Sequence, residues 1–181
     1  MTIKLSALIA IIFSCFCNAE AQKKIIRDHD SRFIVGKGDY LPHIILTADH
    51  DTINNDTFAG QVTVIFFGTS WCPFSKAHLI KTEKKLWQKY KNDIRVNLMC
   101  FCVDAEADEE LFRQFVAENN LTFPIFYDTK EQIYRKFVTP NGSVTRTVVA
   151  DKNEKIVYLN DEYDNRNFRR TLRLIKKLVK K

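Results

Sequence analysis

Glycine and proline are scarce in this chain, five and four residues of 181. That leaves little room for long flexible linkers, and neither a repeat nor a low-complexity segment is present. Metal-ligand chemistry is equally thin. The four histidines, His29, His43, His50 and His78, are scattered, and none falls at a zinc-binding spacing. No glycine-rich phosphate loop and no serine triad pattern occur, so no metal and no cofactor is called for. Evenly spread positive charge is missing too. The net charge is +6, but Asp161 to Lys181 holds eight Lys or Arg and three Asp or Glu, so the rest of the chain is close to neutral. A broad basic face for nucleic acid is therefore not indicated.

What is present reads as one globular unit. Apolar residues make up 45% and charged residues 28%, and a chain of this length buries a sizeable core. The amino terminus reads as an address: Lys4 precedes an uncharged, apolar run of about 12 residues, Leu5 to Phe16. That is short of the ~20 residues a permanent membrane helix needs. Ala19 and Ala21 then stand where a signal peptidase tests for small residues. The expected organisation is a signal peptide over 1–21 and one domain over 22–181, giving an exported protein of the periplasm or cell envelope. A lipoprotein signal ending at Cys15 is the alternative, with a retained membrane anchor as another. Removal of residues 1–21 takes Cys15 and Cys17 and leaves Cys72, Cys100 and Cys102. An odd number of thiols in an oxidising compartment cannot all pair internally.

After the leader, helical and extended patterns alternate. Extended stretches are expected at His43–Thr47, Val62–Phe67, Ile94–Val103, Phe123–Tyr127, Thr145–Ala150 and Ile156–Leu159, the last two joined as a hairpin through Asp151–Lys155. Helices are expected over Pro73–Lys91, over Ala105–Asn119 with Asp104 as cap, from Asp128 to Phe137 with Asp128 and Glu131 as a capping box, and from Asn165 to Lys181. In the last helix Phe168, Leu172, Ile175, Leu178 and Val179 share one face and the cations the other. That basic face is most simply solvated, and weak association with anionic membrane is the alternative. Such a pattern makes an α/β layered sheet. Cys100 and Cys102, alternating in an apolar strand, share a face and read as buried, inert thiols.

One constellation carries chemistry: Phe66-Phe67-Gly68-Thr69-Ser70-Trp71-Cys72-Pro73-Phe74-Ser75. It follows a buried strand and opens a helix. A cysteine at a helix amino terminus meets unpaired N–H groups that stabilise its thiolate, which makes the sulfur a nucleophile. His78, two turns on, reads as a surface residue.

At these residues the chain resembles the exported thioredoxin-like thiol–disulfide oxidoreductases, the branch that includes cytochrome-maturation and peroxiredoxin-related proteins. The resemblance runs from Gly38 and Asp39 to about Leu159. It rests on Gly38–Pro42, Val64–Pro73, Thr122–Asp128 and Val148–Val157, in order. It implies a thioredoxin-like fold: a central mixed sheet with parallel strands and a carboxyl-terminal β-hairpin, flanked by helices. It also implies a W-C-x-x-C redox motif, and here Ser75 replaces the second cysteine. Phe66 stands where many relatives keep a buried carboxylate, and Thr145, followed by Arg146, falls at the place of their cis-proline. The reading that follows is a monothiol thiol–disulfide oxidoreductase acting through Cys72, with Thr69, Trp71, Pro73, Ser75, Thr145 and Arg146 around it. Its partners would be thiol- or disulfide-containing proteins or a small thiol. A binding module that keeps the groove beside Trp71 but not turnover is the second reading. A thiol peroxidase using Thr69, Cys72 and Arg146 is the third.

Overall fold

The computed structural model describes residues 32–48 and 51–180. The leader and Cys15, the expected cleavage point and the start of the domain at residue 22 lie outside the described residues. The fold is thioredoxin-like. Five strands form one sheet in the order β5-β4-β3-β6-β7, with β3 Val62–Gly68, β4 Val96–Cys102, β5 Ile125–Tyr127, β6 Arg146–Ala150 and β7 Ile156–Asn160. Strands β3, β4 and β5 run parallel, β6 runs antiparallel to β3, and β7 closes the hairpin. A separate two-stranded antiparallel ribbon, β1 Ile45–Ala48 and β2 Asp51–Asn54, lies outside this sheet. Only the first of these two had an apolar pattern strong enough to be expected from sequence.

Strand β3 is buried along its whole length, as its run of β-branched and aromatic residues dictates. Alternate residues feed two cores. Ile65 and Phe67 join Met99, Phe101, Val148, Phe137 and Phe33 on one side. Val64 and Phe66 join Cys100, Cys102 and Val149 on the other, together with helix residues Leu79, Leu86, Phe112 and Ile175. Those helices are α1 Pro73–Thr82, α2 Glu109–Glu118 and α3 Asn165–Leu178. A π-type turn, Glu83–Trp87, and a last turn, Gln88–Tyr90, extend α1 to the length its sequence implies. Asp164 caps α3 by accepting the Asn167 N–H at 2.6 Å. Among the residues described, no helix is long and apolar enough to cross a membrane.

Three local expectations are corrected. Asp104 does not cap a helix. A 3-10 turn, Glu106–Asp108, intervenes before α2 begins, and the Asp104 carboxylate turns inward instead. No regular helix follows Asp128 either. Its carboxylate accepts the N–H groups of Ile133 and Tyr134 at 2.9 and 2.7 Å, while Glu131 takes a left-handed φ of 53°, which a capping box would not allow. Only a 3-10 turn, Tyr134–Lys136, forms there.

The third correction is His78, which lies in the core with 4% of its surface exposed. Its ring meets the edge of Phe66 at 4.6 Å and stacks on Tyr163 at 4.8 Å, with Phe168 at 5.7 Å. The carboxyl-terminal segment covers a helix face that polarity alone would assign to solvent. Burial, aided by the charge of Lys81, pulls the His78 pKa down to about 3. An unfolded chain therefore binds a proton here below pH 6.5 that the folded one refuses, and stability falls as pH falls from 6.5 toward 3. His78→Phe should keep the aromatic contacts and remove this penalty. Denaturant unfolding at pH 6.5 and pH 5 should show the natural protein losing about 2 kcal/mol more than the variant. Equal losses would show that His78 is hydrated in the folded state.

Candidate active site

The parallel pairing of β3 and β4 sets Gly68 beside Cys102, so both strands end at the same level. The loop 69–71 then leaves the sheet and α1 begins. Cys72 occupies the N-cap position with extended backbone, and Pro73 takes the first helical position, where its missing N–H costs nothing. Ser75 is buried one turn further on, and a Cβ on Gly68 would touch it at 3.4 Å. The loop is held from below by Asp104, whose carboxylate accepts the Ser70 N–H at 2.7 Å from a fully buried position.

Thr145 arrives from the start of β6 and completes the site. Its hydroxyl lies 2.6 Å from the Ser75 hydroxyl and 3.5 Å from the Cys72 sulfur. When the sulfur is ionised it can only accept, so Thr145 donates to it and Ser75 donates to Thr145. Partial burial pushes the Cys72 thiol up. Against that act the hydrogen bond from the Thr145 hydroxyl and those from the backbone N–H groups of Ser75 and Phe74. Together these outweigh burial and bring the thiol below its ordinary value. Cys100 and Cys102 behave oppositely. Both are buried, burial raises both far above the ordinary thiol range, and all three described cysteines are free.

Support of the 140–145 loop comes from hydrogen bonds. The Ser143 carbonyl accepts from the Tyr134 hydroxyl at 2.7 Å and from Arg146 Nε at 2.9 Å, and the Ser143 hydroxyl donates to the Asp161 carbonyl at 3.1 Å. No cis peptide bond occurs among the described residues. The loop forms one wall of a cleft of about 470 Å³. Trp71, Cys72 and Phe74 form a second wall, and the segment Asp161–Tyr163 after β7 forms the third.

The residues singled out from sequence separate into two groups. Trp71, Cys72 and Thr145 line the cleft, while Pro73 and Ser75 shape the helix start behind it. Thr69 is fully buried beneath, its hydroxyl without a hydrogen-bond partner. Arg146 follows Thr145 in the chain but, being one residue on in a strand, turns to the opposite side of the sheet. Its guanidinium sits 4.4 Å above the Phe33 ring, with 2% of the residue exposed. Asp104, Tyr134 and the Asp161–Tyr163 wall were not singled out from sequence. Asp104 alone carried a signal: a carboxylate two residues beyond the end of the strand that pairs in parallel with β3.

Comparison with known proteins agrees with this geometry. A family model described as Redoxin matches residues 36–175. A curated relative, sporulation thiol-disulfide oxidoreductase A of Bacillus subtilis, is 34% identical over 74 residues. That stretch is 39% of this chain and 42% of the relative, so the match spans less than half of either. Among solved structures, a candidate protein disulfide isomerase from Bacteroides thetaiotaomicron superposes with a TM-score of 0.76 at 25% identity, over 82% of this chain and 93% of the other. A candidate thiol:disulfide interchange protein DsbE from Chlorobium tepidum superposes with a TM-score of 0.69 at 19% identity, over 80% of this chain and 99% of the other. The latter likeness speaks to fold alone.

The hydroxyl chain predicts a change in reactivity. Thr145→Val removes the donor nearest the sulfur, so the Cys72 pKa should rise and its thiolate fraction at neutral pH should fall. Alkylation of Cys72 by iodoacetamide at pH 7 should slow by about two- to fivefold. Peptide mapping should find Cys100 and Cys102 unlabelled in both folded proteins. An unchanged rate would show that Thr145 does not stabilise the thiolate.

Proposed function

We propose a function for this protein from the premise that the chain belongs to the Redoxin family: it is a monothiol thiol–disulfide oxidoreductase that acts through Cys72. The observation that carries this reading is the pairing of Ser75 with Thr145. The position one helical turn from Cys72, where a resolving thiol would stand, holds instead a buried hydroxyl 2.6 Å from the Thr145 hydroxyl.

The chemistry follows from that arrangement. The Cys72 thiolate attacks one sulfur of a substrate disulfide. A new sulfur–sulfur bond forms to Cys72 as the old one breaks, and the other half departs as a thiolate that takes a proton from water. Ser75 cannot attack the mixed disulfide, because a hydroxyl of ordinary acidity is not ionised at neutral pH. Release waits for a second thiol, from a partner protein or a small molecule, whose thiolate displaces Cys72 and takes its place in the disulfide. Substrates and partners are thus thiol- or disulfide-bearing molecules. Trp71, Pro73 and Thr145 shape the nucleophile's surroundings, with Thr69 packed below. The placement of Arg146 against Phe33 favours this reading over a peroxidase, in which a guanidinium would face the sulfur.

The same proposal places the protein outside the cytoplasm. Its support is the charged start, short apolar run and Ala19–Ala21 pattern of the first 21 residues, followed by one domain from residue 22. The exposed cations of α3, Arg166, Arg169, Arg170, Arg173, Lys176 and Lys177, would favour weak contact with an anionic envelope membrane. The intact mass of the exported protein should correspond to a chain beginning at Gln22. A chain beginning at a lipidated Cys15 would replace a free protein with a tethered one.

Ser75→Cys tests the mechanism. The natural protein should reduce insulin slowly or not at all and should accumulate mixed disulfides at Cys72, seen by mass spectrometry. The variant should gain dithiol reductase activity, since its new thiol lies one turn from Cys72. If the variant gains nothing and Cys72 never forms an adduct, the site is a binding groove rather than a redox centre.

A further inference from the structure

The cleft beside Cys72 has two kinds of wall, and they differ in charge. Trp71 and Phe74 stand 64% and 63% exposed at the start of α1, large apolar surfaces that the fold leaves uncovered. They face a cleft shared with Val144 and the ring of Tyr163, which His78 holds in place by stacking at 4.8 Å. The rim next to Tyr163 carries two carboxylates, Asp161 and Glu162. Asp161 is partly countered by Arg146 at 3.8 Å. Glu162 is exposed, and no ion pair to it forms among the described residues. A protein of net charge +6 thus presents negative charge at the mouth of its reactive cleft. Net charge and local charge make opposite demands on a ligand here, and that opposition makes the rim testable.

We propose that this rim sets substrate preference: the cleft takes a disulfide-bearing peptide whose cysteine lies beside an apolar residue and a Lys or Arg. The apolar side chain packs between Trp71, Phe74 and Tyr163 while the cation sits against Glu162, with Asp161 as a weaker second site. Glu162 is a specificity residue and takes no part in the sulfur chemistry. This inference rests on the monothiol reading of Cys72. Charge pairs at an open rim act mainly on encounter and selection, and they fade as salt screens them.

The experiment uses three synthetic peptides. Each carries one cysteine joined as a mixed disulfide to 5-thio-2-nitrobenzoate, a leucine on one side, and lysine, serine or glutamate on the other. Attack by the Cys72 thiolate on the peptide sulfur forms the Cys72–peptide disulfide and expels the coloured thiolate, so each exchange is read directly. No outside oxidant or reductant enters. At low ionic strength the lysine peptide should react about tenfold faster than the glutamate peptide, with serine between, and the ratio should shrink to about two- to threefold at high salt. Glu162→Lys should invert the order, a result that loss of packing alone cannot produce. Equal rates for all three peptides, or a preference for glutamate as the net charge would dictate, overturn the rim proposal and leave the monothiol reading standing. No Cys72–peptide adduct with any of them overturns both.

Discussion

Strand β3 has no exposed residue, and this constraint shapes everything at its carboxyl end. A strand covered on both faces delivers its loop to the surface most readily where backbone groups of that loop find partners on the way. The Ser70 N–H finds the Asp104 carboxylate, Val103 N–H finds the Gly68 carbonyl at 3.0 Å, and the Cys72 carbonyl starts a helix. The sulfur is therefore presented from a base fixed by two parallel strands, and its position owes little to the loop itself. A site built on such a base is held more precisely than one carried by a loop alone.

The contrast among the three thiols follows from the same base. Cys100 and Cys102 sit in the core that β4 shares with α1, where burial suppresses ionisation. Cys72 stands at the edge of that core and at the start of a helix, where N–H and O–H donors converge on it. The three thiols are thus pushed in opposite directions, Cys100 and Cys102 up and Cys72 down. Ser75 keeps a hydrogen-bonding group at this position and carries no thiol. On the proposed monothiol reading, attack on a disulfide needs only donors around one sulfur, and resolution of the product needs a sulfur from elsewhere.

Much of the sheet was legible in the sequence because buried strands leave long apolar runs, and Val62–Phe67 and Ile94–Val103 are such runs. The place of Cys72 at the helix start was legible because Pro73 follows it and a buried apolar strand precedes the turn. The errors fall where side chains of ordinary polarity are used in ways that only tertiary contacts decide. Asp104 looks like a helix cap and serves a loop 34 residues away in sequence. Asp128 and Glu131 have the spacing of a capping box, but a left-handed residue at Glu131 sends the chain into turns. His78 looks solvated until the segment around Tyr163 and Phe168 folds over it. The cleft wall at Asp161–Tyr163 was invisible for a related reason: it follows β7 and reaches the thiol only through the order of strands in the sheet.

The hydroxyl pair beside Cys72 has a consequence for how the sulfur gains and loses charge. With the thiol protonated, each of the three groups has one hydrogen to give, and the S–H can point to Thr145, which points to Ser75. With the thiolate, the sequence runs backward: Ser75 gives to Thr145 and Thr145 to sulfur. Both arrangements fit the one set of heavy-atom distances observed, with Thr145 Oγ1 2.6 Å from the Ser75 hydroxyl and 3.5 Å from the sulfur. Ionisation then needs two hydroxyl rotations, about bonds that turn freely, and no shift of backbone or side chain. A charge that appears on the sulfur, or leaves it, can thus be met by moving hydrogens alone.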